Sequence, residues 1–205
     1  MNKRLYPFLA IILTQFLIGC FGVSSTRYSK PTLDGNTVLP VKYEKYVGEM
    51  FVTPDIAFHV YPLNSTDSGV ALFPIPFPYG EGQTRLDKSS VSVSLRPSKP
   101  GFTFSPQEVL FWRVDTDPQA PVTVIGPREC ASSSPRPPQQ TLPIEPILLK
   151  DNVAFCFWLD ISVAPPDPAD IFFVQIKGLN FKGSPYSLPI IKFQEDKRNE
   201  IFALP

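Results

Sequence analysis

The sequence predicts an all-β protein: an immunoglobulin-like β-sandwich of about eight to nine short strands with proline-rich loops. Three observations carry this. The chain holds 25 prolines and 17 phenylalanines, and proline lacks a backbone donor and fixes φ, so this density argues against long helices. Apolar residues recur at period two in several short runs, as in strands with one buried face. Turn-forming clusters separate these runs at intervals of about 8–12 residues. Hydrophobic residues make up 43% of the chain, enough to drive collapse and exclude global disorder.

Taken in order, residues 21–40 (FGVSSTRYSKPTLDGNTVLP) are rich in Ser, Thr, Gly and Pro without periodicity and read as a flexible tether. The folded domain is expected from Val41 to Pro205. Residues 41–52 fit either a strand or a short helix. Ile56, Phe58 and Val60 alternate with Ala57, His59 and Tyr61, which predicts a strand with one apolar face. Residues 64–69 read as a turn. Val70–Phe77 then leads into Pro74, Pro76 and Pro78, which cannot all lie inside a central strand, so an edge strand passing into polyproline-like chain is expected. In Ser89–Leu95, Val91, Val93 and Leu95 are expected to face in and Ser90, Ser92 and Ser94 out.

Further strands are expected at Gly101–Phe104, Glu108–Asp115 with Trp112 near its middle, and Pro121–Ile125. Pro127–Pro146 is the longest irregular stretch; loops of this length inside compact domains are often functional or disordered. Asn152–Ile161 is nearly continuously hydrophobic and is placed at the centre of a sheet. Ile171–Ile176 and Leu188–Phe193 close the fold. The antibody-type Cys…Trp…Cys spacing is absent, because Trp158 lies only two residues after Cys156.

The first residues carry a different signal. Lys3 and Arg4 precede an apolar run, Leu5–Ile18, interrupted by Pro7, Thr14 and Gln15. A basic start and a short apolar core are the anatomy of an export signal, and the run is too short to span a membrane comfortably. It ends in Leu17-Ile18-Gly19-Cys20. This resembles the lipobox of bacterial lipoproteins: an aliphatic residue, a tolerant position, a small residue and a cysteine. The resemblance covers the leader alone. It implies cleavage after Gly19, so that residues 1–19 are a lipoprotein signal peptide. It also implies a diacylglycerol thioether, with palmitate-type acyl chains, on Cys20. The partners implied are then the membrane, through this anchor, and a protein of the bacterial envelope. Phe21, where an Asp would favour inner-membrane retention, points to the outer membrane facing the periplasm.

Three cysteines leave one over in an oxidising compartment. With Cys20 acylated, Cys130 and Cys156 remain and are expected to form a disulfide, worth about 3 kcal/mol in the chain-entropy model. Two separate buried thiols are the alternative, since sequence does not show their Cα separation.

Little in the chain points to chemistry. The 19 basic residues balance the 19 acidic ones without a basic cluster, so nucleic-acid binding has no electrostatic footprint. His59 is the only histidine, and no nucleophile elbow surrounds any serine. Paired His or Cys-x-x-Cys ligands are absent, so no metal or cofactor is expected. Asp115, Asp117, Asp167 and Asp170 read as turn or strand-start residues, and Asp160 as a hydrogen-bonded structural carboxylate. Binding candidates are Pro74, Pro76 and Phe77 on the edge strand, and Trp112 and Trp158 as walls of an aromatic cleft. The proline segment reads equally well as a guard against edge pairing. The function expected is therefore non-enzymatic: a protein-binding or assembly-supporting envelope protein. A small-molecule or glycan-binding module is the alternative.

Overall fold

The computed structural model describes residues 21–33, 38–43, 46–73, 75–83, 88–130, 140–141 and 145–203. Cys20 and Pro74, and most of the stretch between Cys130 and Pro146, lie outside these. The protein is all-β and sandwich-like, with strands β1 (Phe21–Thr32), β2 (Val38–Tyr43), β3 (Tyr46–Val52), β4 (Ile56–Pro62), β5 (Thr66–Phe73) and β6 (Ile75–Gln83). These are followed by β7 (Ser89–Pro97), β8 (Phe102–Phe104), β9 (Val109–Arg113), β10 (Pro121–Glu129), β11 (Gln140–Thr141) and β12 (Ile147–Leu149). The last are β13 (Phe155–Ile161), β14 (Phe172–Ile176), β15 (Leu179–Phe181), β16 (Ser184–Pro185) and β17 (Ile191–Ala203). The strands outnumber the eight or nine expected. Among the described residues, no helix is long and apolar enough to cross a membrane.

The chain divides into two compact units. One contains residues 21–28, 65–83 and 197–203 of the described chain, the other Ser29–Asn64 and Thr84–Asp196. Strands β1 and β17 are hydrogen-bonded neighbours, and each contributes to both units.

In the first unit, β5 pairs antiparallel with β1 from Phe21↔Leu72 to Arg27↔Thr66, and with β6 from Phe73↔Ile75 to Thr66↔Gln83. Two expectations are corrected here. Residues 21–32 are a strand and not a tether, and residues 66–69 belong to β5 and not to a turn. Neither segment has an alternating apolar face, the signal by which sequence reveals a strand. What orders them is backbone pairing, supplemented by the Ser68 hydroxyl donating to the Ser25 carbonyl at 3.3 Å.

The second unit holds the core. Its seven-stranded sheet runs β11-β10-β13-β7-β4-β3-β2, and β9 pairs with β14 and β14 with β17 in the other sheet. The ambiguous residues 41–52 fall into β2 and β3, which pair antiparallel from Val38↔Phe51 to Tyr43↔Tyr46. Between the sheets lie Phe51, Phe58, Val93, Phe111, Phe157, Leu159, Phe172 and Phe193, all essentially without solvent contact. Edge-to-face packing of Phe104 on Phe157 (4.8 Å) and the parallel pair Phe172–Phe193 (4.7 Å) fix the aromatic part of this core. Strands β4, β13 and β14 show strict alternation of buried and half-buried residues. As expected, β13 is central, flanked by β7 and β10.

Backbone exceptions occur where the fold demands them. At Gly126 φ is +129°, and an added Cβ would lie 2.8 Å from the Cys156 carbonyl oxygen. The β10–β13 register shifts between Ile125 and Arg128, so Gly126 serves a β-bulge that only glycine fits. Lys182 and Gly183, both at positive φ, turn β15 into β16. Asn64 and Ser29 are buried, and the Asn64 amide donates to Ser29 Oγ at 2.7 Å and to the Pro166 carbonyl at 3.3 Å.

Candidate functional site

The residues singled out from sequence fall on three separate surfaces. The first is the outer face of the seven-stranded sheet, the side opposite the core. Here β7 contributes Ser90, Ser92 and Ser94, flanked by β4 and β13. Register sets His59 and Cys156 on either side of Ser94, and Tyr61 and Trp158 on either side of Ser92. Ser90 and Ser94 are buried, not solvent-facing as expected. A small side chain between larger ones on both neighbouring strands is covered by them, and sequence alternation alone does not reveal this.

This face is closed by its own hydrogen bonds. Ser90 donates to Asp160 Oδ1 at 2.6 Å, and Thr123 donates to Asp160 Oδ2 at 3.0 Å. Both carboxylate oxygens are thus engaged by hydroxyls from flanking strands, a structural arrangement in accord with the sequence reading of Asp160. Cys130 and Cys156 form the expected disulfide, with Cα atoms 5.0 Å apart. It joins β13 to the end of β10 within one sheet, whereas the immunoglobulin hallmark disulfide crosses between sheets. Ser94 Oγ lies 3.3 Å from Cys130 Sγ. His59 stacks on Tyr61 with ring centroids 6.2 Å apart. Its pKa is lowered from 6.5 to about 4 because burial disfavours the imidazolium.

The second surface is the outer face of β9 and β14. Trp112 stacks on Phe173 at 5.4 Å and 18°, its directly paired neighbour. Their chain neighbours Phe111 and Phe172 point into the core, so the pair faces outward. The same alternation puts Leu110 on this side, and Val114, Ile171 and Ile190 adjoin the ends of β9, β14 and β17. Val114 is 63% exposed, Ile171 40% and Ile190 48%. Trp112 and Trp158 therefore lie on different sheets and both face away from the shared core. The two tryptophans do not face each other across one cleft. The signal that sequence reasoning missed was the flanking pair Val114 and Ile171, apolar residues in phase with Trp112 and Phe173.

The third surface is the edge strand β6. It lies at the sheet edge as expected, and β5 and β6 form a hairpin. Pro76 and Pro78 pair with Leu72 and Val70. Having no N–H, they occupy positions whose hydrogen-bonding side faces away from β5. Over this stretch the open edge offers carbonyl acceptors without donors, which fits a guard against strand addition better than a docking edge. Phe77 lies in β6 between them. Cys20 and Pro74 are outside the described residues.

The remaining carboxylates are turn residues. The Asp167 N–H donates to Asp170 Oδ2 at 3.0 Å, and the Ala169 N–H to Asp167 Oδ1 at 2.9 Å. Arg113 pairs with Asp170 at 3.7 Å and donates to the Ala164 carbonyl at 2.8 Å. Among the described residues, no group of three or more His, Cys, Asp or Glu is placed to hold a metal ion. No protein-family model, curated protein or solved structure matches this chain.

Proposed function

We propose that the protein is a lipid-anchored envelope protein, held in the outer membrane through Cys20, that binds another envelope protein non-enzymatically. The anchor rests on the lipobox-like Leu17-Ile18-Gly19-Cys20 behind Lys3 and Arg4. The observation that supports protein binding is the exposed apolar face of β9 and β14: the Trp112–Phe173 stack with Val114, Ile171 and Ile190 around it. Contiguous apolar surface centred on aromatics and rimmed by charge is the composition of protein-binding patches. Lys192, opposite Phe173, supplies charge at the rim. Trp112 serves as the anchor residue, because an aromatic side chain buries a large area at low entropic cost.

A photo-crosslinking residue placed at Val114 in the full-length protein, in cells, tests the reading. A discrete envelope-protein adduct is expected from position 114 and not from position 92 on the opposite sheet. Trp112→Ala should reduce its yield at least tenfold without loss of the folded protein. Absence of an adduct, or equal yields from both positions, would overturn it.

A further inference from the structure

The strand register gives the proposed lipid anchor a second membrane contact. Strand β1 starts at Phe21, directly after Cys20, and Phe21 pairs with Leu72. Leu72 pairs with Pro76 across the β5–β6 hairpin, and Phe73 with Ile75 at its tip. One peptide bond spans about 3.8 Å between Cα atoms. The anchor sulfur is thereby tied to the end of the sheet where this hairpin turns, with no slack chain between. From Ser68 to Gly80 the sequence carries no charge, and its apolar residues include Leu72, Phe73, Ile75, Phe77 and Tyr79. Asp67 and Glu81, the first charges on either side, lie toward the hairpin's other end.

The C-terminal strand reaches the same place. The Thr32 hydroxyl donates to the Lys192 carbonyl at 3.0 Å, and Lys30 pairs with Asp196 at 3.5 Å. As β1 runs back toward Phe21, β17 therefore runs forward toward Ala203. Its end carries Ile201, 78% exposed, more than any other large apolar residue described. Lys197 and Arg198 sit several residues further back. At about 3.3 Å per residue they are placed near headgroup depth when the strand ends meet the acyl region.

We infer that the β5–β6 hairpin tip, together with the end of β17, inserts into the lipid interface beside the acylated Cys20. The surface then has two attachments, which fixes its orientation and not only its tether point. This rests on the anchor reading above. The occupant is a lipid surface and not a strand partner, because Pro76 and Pro78 remove the donors an added strand would need, while aromatic and aliphatic residues suit the interfacial zone.

The test uses the full chain, purified from bacterial envelopes and reconstituted into vesicles of phosphatidylethanolamine and phosphatidylglycerol. Intact mass reports whether Cys20 carries acyl chains. A nitroxide on Ile75→Cys, with Phe77→Cys as a second site should the first disturb the hairpin, reports depth through collision with oxygen and with a nickel chelate. Asp67→Cys is the aqueous control. Acylated protein with positions 75 and 77 at least fivefold protected from nickel relative to position 67 is the expected result. Acylated protein with water-exposed labels at both positions overturns the insertion and leaves the anchor standing. An unmodified Cys20 overturns the anchor reading and with it this inference.

Discussion

The two outer faces of the core-bearing unit are built from the same kind of strand and have opposite characters. On the seven-stranded sheet, Asp160 is satisfied by Ser90 and Thr123, and Ser94 meets the Cys130–Cys156 bridge. On the β9–β14 side, Trp112 and Phe173 find each other, but Val114, Ile171 and Ile190 remain in water. These polar groups find their partners within the chain. The apolar face leaves surface whose burial is favourable at roughly 25 cal/mol per Å². Stability and interaction are thereby assigned to different sides of one core, and the comparison breaks if changes on the two sides behave alike.

Outside the core, the largest effect is expected at the bulge that shapes the polar face. Gly126→Ala places a Cβ at 2.8 Å from a backbone carbonyl and a non-glycine residue at φ +129°. Positive φ alone costs about 1–2 kcal/mol, and the forced displacement of β13 adds a similar amount. Chemical denaturation should show a loss of about 3 kcal/mol.

His59 should give the next largest effect, and one with a sign. Its folded pKa of about 4 lies below the unfolded 6.5. Above pH 6.5 both states are neutral and stability is complete. As pH falls from 6.5 to 4 the unfolded chain takes up a proton that the folded chain refuses, so stability declines, by up to about 3 kcal/mol, and then levels off. Urea midpoints measured across this window should fall in the wild type. In His59→Gln the part of that slope owed to the imidazole should vanish, while a slope unchanged by the substitution would mean that carboxylates carry it. Asp160→Ala should cost about 2 kcal/mol, because the buried Ser90 hydroxyl and Thr123 lose their acceptor.

Much of the frame was legible in the sequence. Ile56-Phe58-Val60 and Phe155-Phe157-Leu159-Ile161 alternate so cleanly that hydrophobic patterning alone places them, and both are strands with buried inward residues. The Cys130–Cys156 pairing followed from counting. Strand β1 was not legible, because its residues Gly22–Ser29 lack an apolar period and only a partner strand reveals them. The separation of Trp112 from Trp158 was equally hidden. Each is correctly read as an outward residue of its own strand, but which sheet each strand joins depends on long-range pairing that local pattern does not encode.

The smallest stability effect should come from the face proposed to bind. Val114→Ser with Ile171→Ser changes two residues that are already 63% and 40% exposed, so the folded state loses little burial and stability should move by no more than about 0.5 kcal/mol. The contrast is with Phe111→Ala, three residues before Val114 but 2% exposed and packed on Phe172 at 5.2 Å, where about 3–5 kcal/mol should be lost. Crosslinking from a probe at position 192, opposite Phe173, should then fall sharply in the double serine variant while its melting temperature stays near wild type. A variant that melts early would show that Val114 and Ile171 support the fold. One that melts normally and crosslinks normally would show that the partner reads Trp112 and Phe173 without their apolar surround.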